Sequence, residues 1–137
     1  MHLIGRTYRA RGYIYSSSNA PGLIAGLGNV GIHLSEKFYD MNMYLSSDGG
    51  HTWAEVLSGP HVFEIGDHGG IILAASSKQL IQLLRKFKFN YFFKFAKDLN
   101  KTSIIKYSWD EGATWAEYDM KKSFYVEAIA TEPSNME

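Results

Sequence analysis

Two carboxylates, Asp48 and Asp110, stand in nearly the same surroundings and are the first candidates for chemistry. Each lies in the pattern Ser-x-Asp-x-Gly-x-Thr-Trp, as Ser46, Asp48, Gly50, Thr52 and Trp53, and again as Ser108, Asp110, Gly112, Thr114 and Trp115. An aspartate flanked by hydroxyls can act as a base or a ligand. It can equally accept hydrogen bonds from the backbone of its own turn, with the glycine two residues on supplying a positive φ. The spacing favours the turn. Ser and Thr hydroxyls then tie the strand ends together, and the tryptophan is large enough to fill the gap between neighbouring sheets. The ten residues from Ser46 align without gaps on the ten from Ser108, and seven are identical. With two of the three tryptophans in register, the chain holds two copies of one structural unit.

Other constellations are weaker. Gly26-Leu27-Gly28-Asn29-Val30-Gly31 matches G-x-G-x-x-G, but a dinucleotide site needs a helix opening at the third glycine, and residues 32–40 are too short for one. The glycines are expected to permit a tight strand-to-strand turn. His61, Asp67 and His68 lack the spacing and further partners of a zinc site, so a solvated loop is expected there and no metal. No Ser-His-Asp order and no paired carboxylates point to covalent or general acid/base catalysis. Asn100-Lys101-Thr102 is a glycosylation sequon, which makes Asn100 a candidate acceptor.

The elements that must carry these residues read as short strands. Runs at 41–45 and 103–107 precede the two turns, and Trp53-Ala54-Glu55-Val56-Leu57 and Trp115-Ala116-Glu117-Tyr118 follow them, a hairpin signal in both cases. Residues 61–65, a Gly66-Asp67-His68-Gly69-Gly70 turn and residues 71–75 form another hairpin. Strands are also expected at 22–25 and 124–129. The composition agrees, with 13 glycines, 20 Phe, Tyr and Trp residues together, and 3 prolines. An all-β sandwich, barrel or propeller fits. One stretch departs from it: Lys78–Lys97 holds six Lys/Arg, six aromatics and no acid, with helical spacing only in its first half. Its apolar residues do not segregate to one face, so an insertion over 78–101 is expected rather than a membrane or nucleic-acid surface.

Composition excludes several classes. At 137 residues the chain has the size of one domain, with 45% hydrophobic and 20% charged residues, a globular balance. Fourteen Lys+Arg balance fourteen Asp+Glu, which excludes a wholly basic nucleic-acid binder. The absence of cysteine excludes disulfides, thiolate zinc sites and thiol nucleophiles. Residues 1–6 lack the apolar run of an export signal, and no window of 18 uncharged apolar residues could span a bilayer.

The repeated turn looks like the Asp box, a hairpin motif of β-propellers that include sialidases and Vps10/sortilin sorting receptors. Pro21-Gly22-Leu23-Ile24-Ala25-Gly26-Leu27-Gly28-Asn29-Val30-Gly31 resembles a glycine-rich stretch of Vps10 domains. The first turn, Gly59-Pro60-His61, Asp67-His68-Gly69-Gly70-Ile71-Ile72 and the second turn then follow in that family's order. The resemblance covers roughly residues 12–76 and 102–134. It implies about two blades of a ten-bladed propeller, with residues 1–137 forming a partial ring of marginal stability by itself. In such receptors the propeller binds peptide or protein cargo on the luminal side of the Golgi–endosome system, without a cofactor, nucleic acid or enzymatic step. Membrane attachment would lie in parts outside this stretch. The resemblance implies structural roles for the ten residues of the two turns and assigns no ligand-binding residue. Some relatives carry a cysteine in the second box, where this chain has none. Ser46 and Ser108 are 62 residues apart, whereas such blades repeat every 40–45 or so, a surplus that matches the insertion. The alternative is an Asp-box glycosidase of the sialidase type, which needs an arginine cluster and a tyrosine nucleophile with a carboxylate partner. Only Arg6, Arg9, Arg11 and Arg85 are available.

Overall fold

A computed structural model of the chain describes residues 2–3, 14–35, 37, 40–76, 101–126 and 129. The insertion stretch up to residue 100, Asn100 and the four arginines lie outside the described residues. Among the described residues nine strands form two antiparallel sheets, and there is no α-helix.

The first sheet is built on β3 (Ile24–Asn29), buried along nearly its whole length. One edge of β3 is shared by β1 (His2–Leu3) and β2 (Ile14–Ser16), which pair with its far and near ends. The other edge pairs with β4 (Asn42–Ser46), and β4 pairs with β5 (Ala54–Leu57). The second sheet is a meander of β6 (His61–Gly66), β7 (Ile71–Ser76), β8 (Lys101–Ser108) and β9 (Ala116–Tyr125). In both sheets the repeated turn joins the third strand of the path to the fourth. Residues with the same place in the sequence repeat therefore take the same place in a sheet.

The sheets pack face to face through small and branched side chains. Ala25, Leu27, Met43, Leu45 and Leu57 of the first meet Ile65, Ile72 and Ala74 of the second in one buried cluster. Met43 and Ile72 have no exposed surface. Burying an aliphatic side chain of this size fully is worth about 1.5–3 kcal/mol, so this cluster is what holds one sheet to the other. Tyr15, Val56, Phe63 and Trp115 close its margins.

Several sequence expectations need correction. The strand expected at 22–25 begins at Ile24, because Gly22 has φ +89 and closes the preceding turn. Gly26 and Gly28 lie inside β3, opposite Tyr44 and Asn42, so they do not form a strand-to-strand turn. Lys101, expected at the end of the insertion, instead opens β8 and pairs with Tyr125. Of the strand expected at 124–129, Phe124 and Tyr125 are the end of β9, which runs on from Ala116 with a register shift opposite Thr102 and Ile104. His61 is no loop residue. It is buried in β6, with its Nδ1 2.9 Å from the Gly59 carbonyl oxygen.

Candidate functional site

The side-chain bonds that the two turns share have the same partners and nearly the same lengths. Ser46 Oγ donates to Asp48 Oδ1 at 2.8 Å and accepts the Gly50 N–H at 2.8 Å. Asp48 Oδ1 accepts the Thr52 N–H at 2.8 Å, and Oδ2 accepts the Thr52 hydroxyl at 2.6 Å. Trp53 Nε1 donates to the Gly50 carbonyl at 3.0 Å. In the second turn Ser108 donates to Asp110 at 2.8 Å and accepts Gly112 N–H at 2.8 Å. Thr114 donates to Asp110 at 2.8 Å from nitrogen and 2.6 Å from oxygen, and Trp115 Nε1 reaches Gly112 O at 3.0 Å. The 2.6 Å bonds are the short, charge-assisted kind.

The structure thus brings all ten of these residues together, five to a turn. The Thr52 bonds, its hydroxyl first, hold Asp48 well below the usual carboxylate range. The corresponding Thr114 bonds hold Asp110 down at about 2. A carboxylate whose lone pairs are taken up this way is a poor proton acceptor at neutral pH. The tryptophans differ from expectation in degree. Both are half-buried rather than enclosed, with their indole N–H groups turned back onto their own turns.

Glycine at the second turn has a further consequence. Gly112 is buried at φ +88, and a Cβ there would overlap Leu45 Cδ1 and lie 3.3 Å from Val56 Cγ1. The second turn is therefore seated on β4 and β5 of the first sheet. Gly69, at φ +98 in the β6–β7 turn, has Ala20 Cβ 3.2 Å from the same kind of position. Beside the Gly69–Ala20 contact a cleft of about 210 Å³ opens, lined by Pro21, Leu23, His68, Gly70, Trp109 and Glu111 among others.

Sequence reasoning missed the tyrosine–carboxylate pairs. Tyr44 donates to Glu55 Oε2 at 3.1 Å across β4 and β5, and Tyr15 donates to Glu64 Oε1 at 3.4 Å between the sheets. The first was recoverable, because Tyr44 and Glu55 are opposite each other once the hairpin register is drawn. The second copy places Lys106 and Glu117 opposite each other, with an ion pair at 3.5 Å. A tyrosine beside a carboxylate is what a sialidase-type nucleophile requires. Tyr44 is tuned the wrong way for that, since burial, followed by the hydrogen bond and charge of Glu55, raises its pKa above the ordinary value. Among the described residues no group of three or more His, Asp or Glu could hold a metal ion, and no described helix is long and apolar enough to cross a membrane.

Comparison with known proteins decides the family. The Sortilin-Vps10 family model, described as sortilin, neurotensin receptor 3, matches residues 1–129. The chain belongs to the sortilin/Vps10 family. It is similar to a vacuolar protein sorting/targeting protein 10 of Aspergillus flavus, 32% identical over 87% of this chain and 6% of that protein. It is also 36% identical to a sortilin-related receptor of Oryctolagus cuniculus over 88% of this chain and 4% of that protein. With the human VPS10 domain-containing receptor SorCS2 it shares 33% identity over 90% of this chain and 9% of that protein. The chain thus spans less than a tenth of the length of these curated relatives. As part of a Vps10 domain, its two sheets are partial propeller blades, and their face-to-face cluster is a junction between blades.

Proposed function

We propose that this chain contributes to the luminal cargo-binding propeller of a sorting receptor that moves peptide or protein ligands between Golgi and endosomes. The observation that carries the reading is the family match across residues 1–129. In this reading the two turns are Asp boxes with a structural role, in which Asp48 and Asp110 lock their hairpins and take no part in catalysis. Residues 77–100 connect β7 to β8, adjacent antiparallel strands that a loop of two to five residues could join. In this reading the stretch from 78 to 100 is a surplus insertion, and Asn100 at its end carries an N-linked glycan. Tagged receptor containing this chain should colocalise with Golgi and endosomal markers, and cells lacking it should secrete proteins that parent cells retain. Receptor confined to the cytosol, or unchanged secretion, would overturn the proposal.

One other reading, a sialidase-type enzyme, has the placement of Glu55 beside Tyr44 in its favour and the raised pKa of Tyr44 against it. It is separated by an assay for release of sialic acid from a fluorogenic sialoside. Sorting function predicts no turnover; turnover abolished by Tyr44→Phe would establish the enzyme instead.

A further inference from the structure

Because the two turns share the bonds that close them, the positions where they differ show what each presents to its surroundings. The first turn has Ser47, Gly49 and His51 at its three variable positions; the second has Trp109, Glu111 and Ala113, of which Trp109 and Glu111 carry the larger side chains. Gly49 has φ +71, a left-handed conformation that suits glycine. Glu111 takes the same conformation at φ +54 with a side chain that resists it. Trp109, the most apolar surface of the turn, is 65% exposed. Its ring is braced edge-on by Tyr107, with centroids 6.0 Å apart and planes at 75°. Neither substitution serves the turn, whose bonds are all made by other residues.

Both side chains line the cleft at the blade junction. The β6–β7 turn also lines the cleft through His68, Gly69 and Gly70, and there Asp67 (φ +45) and His68 (φ +54) are consecutive non-glycine residues in the left-handed region. Such strain persists where the surroundings hold it, and it gathers at binding sites. Pro21 and Leu23, in the connection that leads from β2 into β3, supply an aliphatic side, so the cleft joins residues of both halves of the fold. The Asp67 carboxylate folds over Gly70, its Oδ2 3.1 Å from where a Cβ of that glycine would lie, which brings a second acid near the wall. The described lining contains no lysine or arginine.

An aromatic face, an aliphatic side and a rim carboxylate complement a side chain with an apolar stem and a flat, delocalised cation. At about 210 Å³ the space suits one long side chain; whole small molecules usually occupy about 300–1,000 Å³. We propose that this cleft is a subsite for an arginine side chain of a protein or peptide ligand. That the ligand is receptor cargo rests on the sorting reading; recognition of the guanidinium does not.

The test uses the ¹⁵N-labelled chain and its three indole N–H signals, titrated with N-acetyl-argininamide. The Trp109 signal should shift saturably, while those of Trp53 and Trp115, tied to Gly50 and Gly112 carbonyls, stay in place and report an intact fold. The neutral isostere N-acetyl-citrullinamide should leave all three unmoved. Glu111→Gln should weaken binding about fivefold or more. Glu111→Gly restores the residue of the first turn, so it should melt no lower than the parent chain while losing the probe. Shifts that do not saturate, equal binding of the citrulline analogue, or Glu111 variants that bind like the parent would each overturn the proposal, as would saturation by N-acetylglucosamine instead. If the probe fails while the receptor still sorts cargo, the subsite falls and the sorting reading stands. If the probe binds and no cargo is carried, the reverse holds.

Discussion

Replacing Gly112 by alanine separates two costs that usually arrive together. Gly50 and Gly112 occupy the same place in the two turns, at φ +93 and +88, so the backbone penalty of an added Cβ is common to both, about 1–2 kcal/mol. Their surroundings differ. A Cβ on Gly50 meets Ile24 Cδ1 at 3.6 Å and the Trp53 ring at 3.8 Å, ordinary contact distances. A Cβ on Gly112 overlaps Leu45, a core residue 4% exposed, and overpacking of that kind adds about 1–3 kcal/mol. Gly50→Ala should therefore cost about 1–2 kcal/mol and Gly112→Ala about 2–5 kcal/mol. For a chain of this size each kcal/mol moves Tm by about 3–5 °C, a gap that a thermal melt followed by tryptophan fluorescence resolves. The double variant Gly112→Ala/Leu45→Val should recover part of the loss, because it removes the methyl group in the way. Equal costs for the two glycine variants, or no recovery in the double variant, would show that the second turn is not seated on the first blade.

Three further outcomes follow from the same contacts. Ser46→Ala and Ser108→Ala each strip the acceptor from a turn N–H, and should cost about 1–3 kcal/mol apiece in denaturant titrations, the two within error of each other. Asp110 is held down at about 2 and Asp48 is lowered in the same direction, so the unfolded chain takes up their protons first as pH falls; their stabilisation is full above about pH 4 and is lost towards pH 2. Stability measured across that range should fall steeply in the parent and more gently in Asp48→Asn/Asp110→Asn. Met43→Ala empties a fully buried site at the blade junction and should cost about 2–5 kcal/mol in the same titration.

The hairpins at β4–β5 and β8–β9 and their turn chemistry were legible in the sequence repeat alone, because all of it lies within eight consecutive residues. Register across β4–β5 was implicit in the same pattern, yet the Tyr44–Glu55 pair stays hidden until the partner strand is drawn explicitly. What crosses between sheets was not legible. Nothing local marks Tyr15 as a partner for Glu64, or Gly112 as the seat against Leu45, since those pairs are set by how two sheets pack. Gly26 and Gly28 misled for a related reason: read alone, glycines signal a turn, and only pairing on both edges shows them to be strand residues. Ile14–Ser16 escaped notice because a three-residue strand is defined by the neighbour it pairs with, and its sequence carries little of that.

The side-chain bonds that close each turn span only two to four residues along the chain. Contacts that short close at little entropic cost, and hairpins form within about 1–10 μs. The turns can be in place while the junction between blades, with Tyr15 and Glu64 separated by 49 residues, is still open. Folding then runs from two preset hairpins towards a slower meeting of sheets, and the step that waits is the seating of Gly112 on Leu45. Kinetic analysis should give high φ-values for Ser46 and Ser108 and low ones for Met43 and Ile72. The reverse pattern would mean that the sheets assemble first and the turns are drawn shut by them.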